Sequence, residues 1–475
     1  MGIRLFGAGS GECRRLLLAV AGAVFATLLP AFAEEKLISA PEPAHPTRPR
    51  VLSGRLPDKP SLPPVFKISV GPLGFSAPGA FYMGQRTSLV SLDFVDEDRL
   101  LFTFRVPGLI HRETSERDTA GEQERRIRAL VLKLPDGRVE SETVWTVHDR
   151  ARYVWMLRDG SFLFRDLKNL ETGDASLELK PYLRFPGALL WLEIDPAQQF
   201  LVTNSLEPAA AQMPEDRSTD PNGVDVSLQP GGRGSESTGL GSTIPTEKSA
   251  PVEAQKRAKP PDLAVRILRK DSGQVILVSR SRAAVHLPVN SDGYLESLRT
   301  RGGGWLLNLN YFSGGSTILG EIDSACSPLF DFLSQREVLV TGCTSSGAGD
   351  LAAMTTEGRH IWEVQSAETT VWPLLVRAPD GSRVARETLV VSTPVTARAP
   401  IDPDDIKGQL VEVLDAANGN TALETTANPV LDAGGNVAIS PSGRRVAVLN
   451  GDKIEIFELP AAPPLPEPAA HSTKH

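Results

Sequence analysis

Apolar residues along this chain fall in short runs of strand length, each bounded by turn residues. Ser88 to Phe94, Arg99 to Arg105 and Ala129 to Leu134 set the pattern. Val275 to Val278, Glu337 to Val340, Thr388 to Val391, Arg445 to Leu449 and Lys453 to Phe457 continue it. Many of these runs alternate with a period of two, which places successive side chains on opposite faces of a sheet. Short turn signals recur between them: Pro135-Asp136-Gly137, Arg158-Asp159-Gly160, Ser291-Asp292-Gly293, Thr356-Glu357-Gly358, Pro379-Asp380-Gly381 and Pro441-Ser442-Gly443. Each supplies a glycine where a tight hairpin needs positive φ. The units begin near Leu89, Tyr153, Trp191, Tyr294, Phe330, Val371 and Gly435. With residues 207–259 set aside, their mean spacing is about 50 residues, close to that of a propeller blade.

One unit carries a sharper likeness. Ala438-Ile439-Ser440-Pro441-Ser442-Gly443-Arg444-Arg445-Val446-Ala447-Val448, followed by Ile454-Glu455-Ile456-Phe457-Glu458-Leu459, resembles a blade of a WD40-like β-propeller. Such blades read Ser-Pro-Asp-Gly-Arg, an apolar strand, a short turn and a strand ending in Trp-Asp. Here Phe457-Glu458 stands at that place. Asp96-Glu97-Asp98 before Arg99-Leu100-Leu101-Phe102, and Ile194-Asp195-Pro196 before Phe200-Leu201-Val202, echo the same arrangement. No Gly-His signature repeats, and the wider secreted class with quinoprotein-like and lactonase-like members fits as well. The resemblance implies an all-β propeller, read here as seven blades. A ring must join its ends to avoid exposed edges, so Val65 to Val70 is expected to complete the sheet of Val446 to Phe457.

The remaining chain is not blade-like. Arg14 and Arg15 precede an apolar run from Leu16 to Leu29, which ends in Ala31-Phe32-Ala33. A basic start, an apolar centre and small residues at the end read as a secretory signal, residues 1–33, cleaved after Ala33. Residues 34–64 are rich in proline and read as an extended tether. Residues 207–259 have few large apolar residues and read as a disordered insertion in a propeller spanning 65–459. Residues 460–475 read as a disordered tail.

Composition narrows the function. The apolar fraction of 41% supports a sizeable core, and the aromatic fraction of 6% argues against a membrane barrel with aromatic girdles. A net charge of −8 argues against a nucleic-acid partner. Arg125, Arg126 and Arg128 follow Glu122 and Glu124 and form no extended basic patch. Beyond the signal no segment has the length of a membrane helix, so no membrane span is expected in the mature chain. The expected location is the periplasm or beyond.

Export bears on the cysteines. Cys13 leaves with the signal, and Cys326 and Cys343 then form an even pair in an oxidising compartment, which reads as one disulfide. The turn at Ser334-Gln335-Arg336 lets the intervening chain reverse; two buried thiols are the alternative. His148-Asp149 is the one adjacent His/acid pair in the blade-forming part, a general base or a solvated pair at a strand end. Asp96-Glu97-Asp98 and Asp402-Pro403-Asp404-Asp405 are acidic turns that lack the Ca²⁺-loop spacing. Gly302-Gly303-Gly304 and Gly314-Gly315 read as hairpin turns, because no Lys-Ser/Thr follows. Trp145, Tyr153, Trp155, Tyr182 and Trp191 read as packing between blades, with a ligand platform as the rival reading. No Gly-x-Ser-x-Gly elbow occurs. No catalytic residue, metal ligand or cofactor is assigned. The expected function is a secreted, non-catalytic binding or scaffolding module for a protein or small-molecule ligand. The alternative is a propeller enzyme of lactonase or quinoprotein type, which would gather three or more acidic or histidine side chains at the channel.

Overall fold

A computed structural model describes residues 3–4, 50–77, 89–106, 125–148, 152–207, 263–344, 349–394, 401–431 and 433–464. Their strands form seven antiparallel blades. The first strands of successive blades approach one another: Ser91–Asp96 touches Val154–Met156, and Val437–Ile439 touches both Ser91–Asp96 and Thr370–Arg377. These first strands are therefore the inner ones, around the central channel. Blades 3 and 5 begin at Leu189–Ile194 and Leu329–Phe332.

Blade 4 begins earlier than the sequence pattern suggests. Gly293–Arg299 is its second strand, because Val289 bridges Tyr294 and the Asn290 amide donates to Gly293. The inner segment is 285–290. Pro288 has no N–H, so this segment forms a single bridge and no regular ladder.

The core lies in the seams between blades, with one apolar cluster in each of the seven. Arg99–Arg105 shows why its sequence is nearly all apolar. Leu100, Phe102 and Phe104 face the blade 7–1 seam, and Leu101 faces the blade 1–2 seam. A strand buried on both faces needs a continuous apolar run. The outer strand Arg138–Val147 borders solvent and alternates. Each fully buried Leu or Phe contributes about 1.5–3 kcal/mol, so the seams supply the main driving force for ring formation.

The first-to-second-strand turns repeat one design. Asp159 accepts from the Ser161 amide at 3.0 Å and hydroxyl at 2.6 Å, and Asp380 accepts from Ser382 in the same way at 2.9 and 2.6 Å. Gly160, Gly381 and Gly443 follow these turns at φ of 79°, 77° and 68°. There the backbone leans on the previous blade: a Cβ on Gly381 would sit 2.5 Å from the Leu333 carbonyl oxygen.

The ring closes as the sequence predicts. Phe66–Ser69 pairs with Lys453–Glu458 as the fourth strand of blade 7, with Ile68 opposite Ile454. The preceding stretch corrects the reading of 34–64 as a free tether. Arg50–Val51 adds in parallel to His360–Gln365 of blade 5, and Leu52 is buried between blades 5 and 6. The Ser61 amide then donates to Glu424 of blade 6. Leu52, Leu56 and Leu62 stud this proline-rich strap and give it something to bury. Residues 34–49 lie outside the described residues. The 207–259 insertion lies there too, apart from Glu207, which pairs with Arg266. The signal also lies outside except Ile3–Arg4, which pair with Ile322 and Glu321. No helix among the described residues is long and apolar enough to cross a membrane.

Candidate functional site: the central channel

The strand order gives the ring two unlike faces. Turns between first and second, and third and fourth, strands lie on one face, here the lower. None there is longer than the stretch from Gly173 to Lys180. The strand ends joined by second-to-third-strand and interblade connections open on the upper face. Among them are Arg105 and Arg125, Leu206 and Leu263, Val391 and Ile406, and Ser69 and Ser91, the pairs of strand ends farthest apart in sequence. The lower turns also bond across the axis. Arg158 of blade 2 donates to the Pro379 carbonyl of blade 6 at 2.7 Å, and Gln335 of blade 5 donates to Asp195 of blade 3 at 3.5 Å. The lower end of the channel is thus bridged by turns of non-adjacent blades.

Within the channel, six blades in order contribute an alternating belt of charge: Asp93, Arg152, Glu193, His286, Asp331 and Arg377. The tightest contact is at blades 3 and 4. His286 Nδ1 lies 2.7 Å from a Glu193 carboxylate oxygen, and Nε2 lies 2.5 Å from the Phe330 carbonyl of blade 5. Both ring nitrogens face acceptors, so both carry protons and the ring is an imidazolium. Burial opposes that charge, but Glu193, Asp331 and the Phe330 carbonyl outweigh it and raise the pKa to about 9. Arg377 donates to the Phe332 carbonyl and stands 3.9 Å from Asp331. On the far side, burial raises the Asp93 carboxyl above its usual range, against Arg152 and a hydrogen bond from Ser91. Arg152 is open to water, as a channel side chain can be, yet enclosed by protein. That enclosure lowers its guanidinium from the usual value; Asp93 opposes the shift and Arg377, across the channel, adds to it.

The upper mouth also carries exposed apolar groups. Leu190 and Trp191, 40% and 43% exposed, begin the inner strand of blade 3, and Leu329, 55% exposed, begins that of blade 5. A bulge between Leu189 and Trp191 turns these residues outward. Buried Arg165 of blade 2 holds the bulge, donating to the Leu189 and Leu190 carbonyls at 2.9 and 3.0 Å. Trp191 Nε1 donates to Glu193, which ties the exposed ring to the belt.

The residues singled out from sequence mostly land elsewhere. Cys326 and Cys343 form the expected disulfide, with Cα atoms 5.7 Å apart. Among the described residues His148 meets Asp166, 3.0 Å from Nδ1; Asp149 lies outside them. Asp96, Glu97 and Asp98 form a turn tied to arginines, Asp96 to Arg99 at 2.7 Å and Asp98 to Arg445 at 3.2 Å. Asp402 caps the turn Pro403–Asp405, and Asp405 accepts from Ser392. Among the described residues no three His, Cys, Asp or Glu side chains gather as a metal site. Gly303, Gly314 and Gly315 sit in hairpin turns with positive φ. Arg125 is buried, and Arg128 pairs with Glu142. Trp145, Tyr153 and Trp155 are buried in seams, and the Tyr182 hydroxyl donates to the Lys270 carbonyl. Trp191 alone of the five reaches the channel mouth.

No protein-family model matches the chain, and no curated protein does. Among solved structures it is similar to the Pyrococcus horikoshii acylaminoacyl peptidase, at 11% identity and a TM-score of 0.41, over 78% of this chain and 51% of that one. It is similar to the β-propeller domain of the Trilobed protease from Pyrococcus furiosus at 10% and 0.40, over 80% and 99%. A putative TolB from Agrobacterium tumefaciens aligns at 12% and 0.33, over 67% and 94%. The chain spans about half the length of the peptidase.

Proposed function

We propose that this protein is an exported, non-catalytic β-propeller that binds a ligand or partner on its upper face and channel mouth. The contrast between the two faces carries the reading. The strand ends that flank the longest stretches of chain open on the upper face, where Leu190, Trp191 and Leu329 are exposed, whereas short turns bridge the channel below. Loops on a rigid scaffold can vary without disturbing its core, which suits recognition. The Cys326–Cys343 bridge supports an oxidising compartment. The enzyme alternative asked for converging acids or histidines. Asp93, Glu193, His286 and Asp331 do converge, but Glu193 and His286 neutralise each other and Asp331 faces Arg377. That arrangement favours a structural belt over a free general base.

Two measurements test the reading. N-terminal sequencing of the mature protein should begin at Glu34, and a chain beginning near Met1 overturns the export claim. Photo-crosslinking residues placed in exporting cells at Lys407 or Asp452, on the upper face, should trap partners. The same probes at Asp136 or Glu357, on the lower face, should not. Adducts confined to the lower positions overturn the assignment.

A further inference from the structure

Among the described residues the blades differ at their outer edges. Blade 1 ends on Arg138–Val147, which exposes Arg138, Glu140 and Glu142, and blade 2 on Lys180–Arg184, which holds Pro181 between charged ends. Blade 4 ends on Ser316–Ile322, interrupted by Gly320 and Glu321, and blade 7 on the four residues Phe66–Ser69, Lys67 among them. Blade 5 is covered by Arg50–Val51, and blade 6 is tied to Ser61 through Glu424. Charge, proline, brevity and cover each blunt an edge against further pairing. Blade 3 is the least guarded. Its outer strand, Val275–Ser281, pairs with Leu263–Arg269 on one side and with no described strand on the other. Val275, Ile276 and Val278 are 45%, 36% and 58% exposed, and Arg280 is the strand's one charge. β-Branched residues beside open backbone N–H and C=O groups make such an edge a template for another strand.

The strand that fits is a second copy of itself. Antiparallel about a two-fold axis at Val278, two copies oppose Val278 with Val278, Leu277 with Ser279 and Ile276 with Arg280. The two Arg280 side chains then lie at opposite ends of the junction, each with its alkyl stem over Ile276, and a β-branched pair sits at the centre. Such an isologous contact asks for no chemistry beyond the strand itself. We propose that this protein dimerises through the outer strands of blade 3, which joins two four-stranded blades into one eight-stranded sheet. The outer strand is the one farthest from the channel, so the dimer leaves the upper mouth free and goes beyond the upper-face reading.

The test is sedimentation velocity of the full mature chain over a range of concentrations. A single edge junction is small and suits a weak association, so a monomer–dimer equilibrium with a Kd at or below about 50 μM is expected. Val278→Lys puts like charges on the two-fold axis and should raise that Kd about tenfold or more, and Val278→Glu should do the same. An equal mixture of the two variants should dimerise again, which a merely structural role of Val278 would not produce. Ile318→Lys, on the blade 4 edge and 60% exposed in wild type, should leave the Kd unchanged. If the Val278 variants do not fold, hydrogen exchange of wild type decides: protection of the Ile276 to Arg280 amides should rise with protein concentration. A monomer up to about 200 μM overturns the proposal. Freely exchanging edge amides in that monomer would leave the edge to a different protein, and amides protected at every concentration would mark cover by a segment of this chain. A dimer unmoved by Val278→Lys, or lost through Ile318→Lys, overturns it as well.

Discussion

Glu387→Gln should stabilise this protein at neutral pH and not at acid pH. Glu387 lies mid-strand in Arg383–Val391, the second strand of blade 6, and is 1% exposed. One carboxyl oxygen accepts from Gln409 Nε2 at 2.9 Å, and the other has no partner. Burial raises its pKa from 4.5 to about 8. An acid whose folded pKa is raised holds its proton more tightly in the folded state. Stability is then greatest below about pH 4.5 and falls as pH rises to about 8, beyond which it is level. At about 1.36 kcal/mol per pH unit, the loss by pH 7 is on the order of 3 kcal/mol. Glutamine has the shape of the protonated acid and no proton to lose. Urea midpoints for wild type and Glu387→Gln, taken at intervals from pH 4.5 to 8.5, give a difference curve. It should start near zero and climb by roughly 3 kcal/mol by pH 7 and roughly 4 kcal/mol by pH 8.5, with m unchanged. His286 titrates in an overlapping range but is common to both proteins, so it cancels. A flat difference curve, or a variant less stable at pH 8, would refute the account of Glu387 as a buried neutral acid.

Three further outcomes are expected. His286 has a folded pKa of about 9 against 6.5, so its contribution is full below about pH 6.5 and lost as pH rises through 9. His286→Gln should therefore cost up to about 3 kcal/mol at pH 6 and little at pH 9.5; a cost independent of pH contradicts the imidazolium. Gly381→Ala meets both a φ of 77° and the Leu333 carbonyl, whereas Gly451 has a φ of 67° and open space around it. Denaturation should show a loss of about 1 kcal/mol for Gly451→Ala and clearly more for Gly381→Ala, and equal losses would remove the interblade contact from the argument. The disulfide spans 17 residues, so Cys326→Ser should cost about 3 kcal/mol in the oxidised protein. The same substitution should be nearly silent under reducing conditions, and equal effects in both states refute the bridge.

The strands and turns were legible because each obeys a local rule, period two or a glycine at positive φ. The closing strand was legible because a ring has one place for an orphan strand after its last blade. The belt was not. Asp93, Glu193, Asp331 and Arg377 each occupy an ordinary polar position of an alternating strand, and their only relation is the ring that brings blades 1, 3, 5 and 6 together. Aligning the units on their first turns would have exposed the signal, a charged residue a few positions before the turn in six of the seven blades. His286 was hidden further, since Pro288 removes the strand pattern around it. The strap misled in the opposite sense: proline content suggested a free tether, while Leu52, Leu56 and Leu62 were the residues that decided its fate.

Seven seams of similar apolar composition pose a problem that hydrophobic burial does not solve, because one greasy face can pack on another's neighbour. Polar ties specific to each seam can supply the register. Tyr153 donates to the Leu89 carbonyl at 2.9 Å between blades 1 and 2, and Arg165 to Leu189 between 2 and 3. Asn204 bonds Val285 at 3.0 Å between 3 and 4, and Asn290 bonds Gln335 at 3.0 Å between 4 and 5. Arg377 reaches Phe332 between 5 and 6, Arg383 reaches Gly443 at 2.7 Å between 6 and 7, and Arg445 reaches Glu97 at 2.6 Å between 7 and 1. A wrong pairing of blades would leave such donors buried without acceptors, a penalty of about 1–3 kcal/mol each. The hypothesis makes a distinctive demand at the Asp331–Arg377 seam. Asp331→Arg places like charges there and should lower refolding yield. Adding Arg377→Asp restores opposite charges without restoring the bond to Phe332, so yield should recover in part. If the double variant refolds no better than Asp331→Arg alone, charge matching does not set the register of this seam, and the apolar cluster must do so unaided.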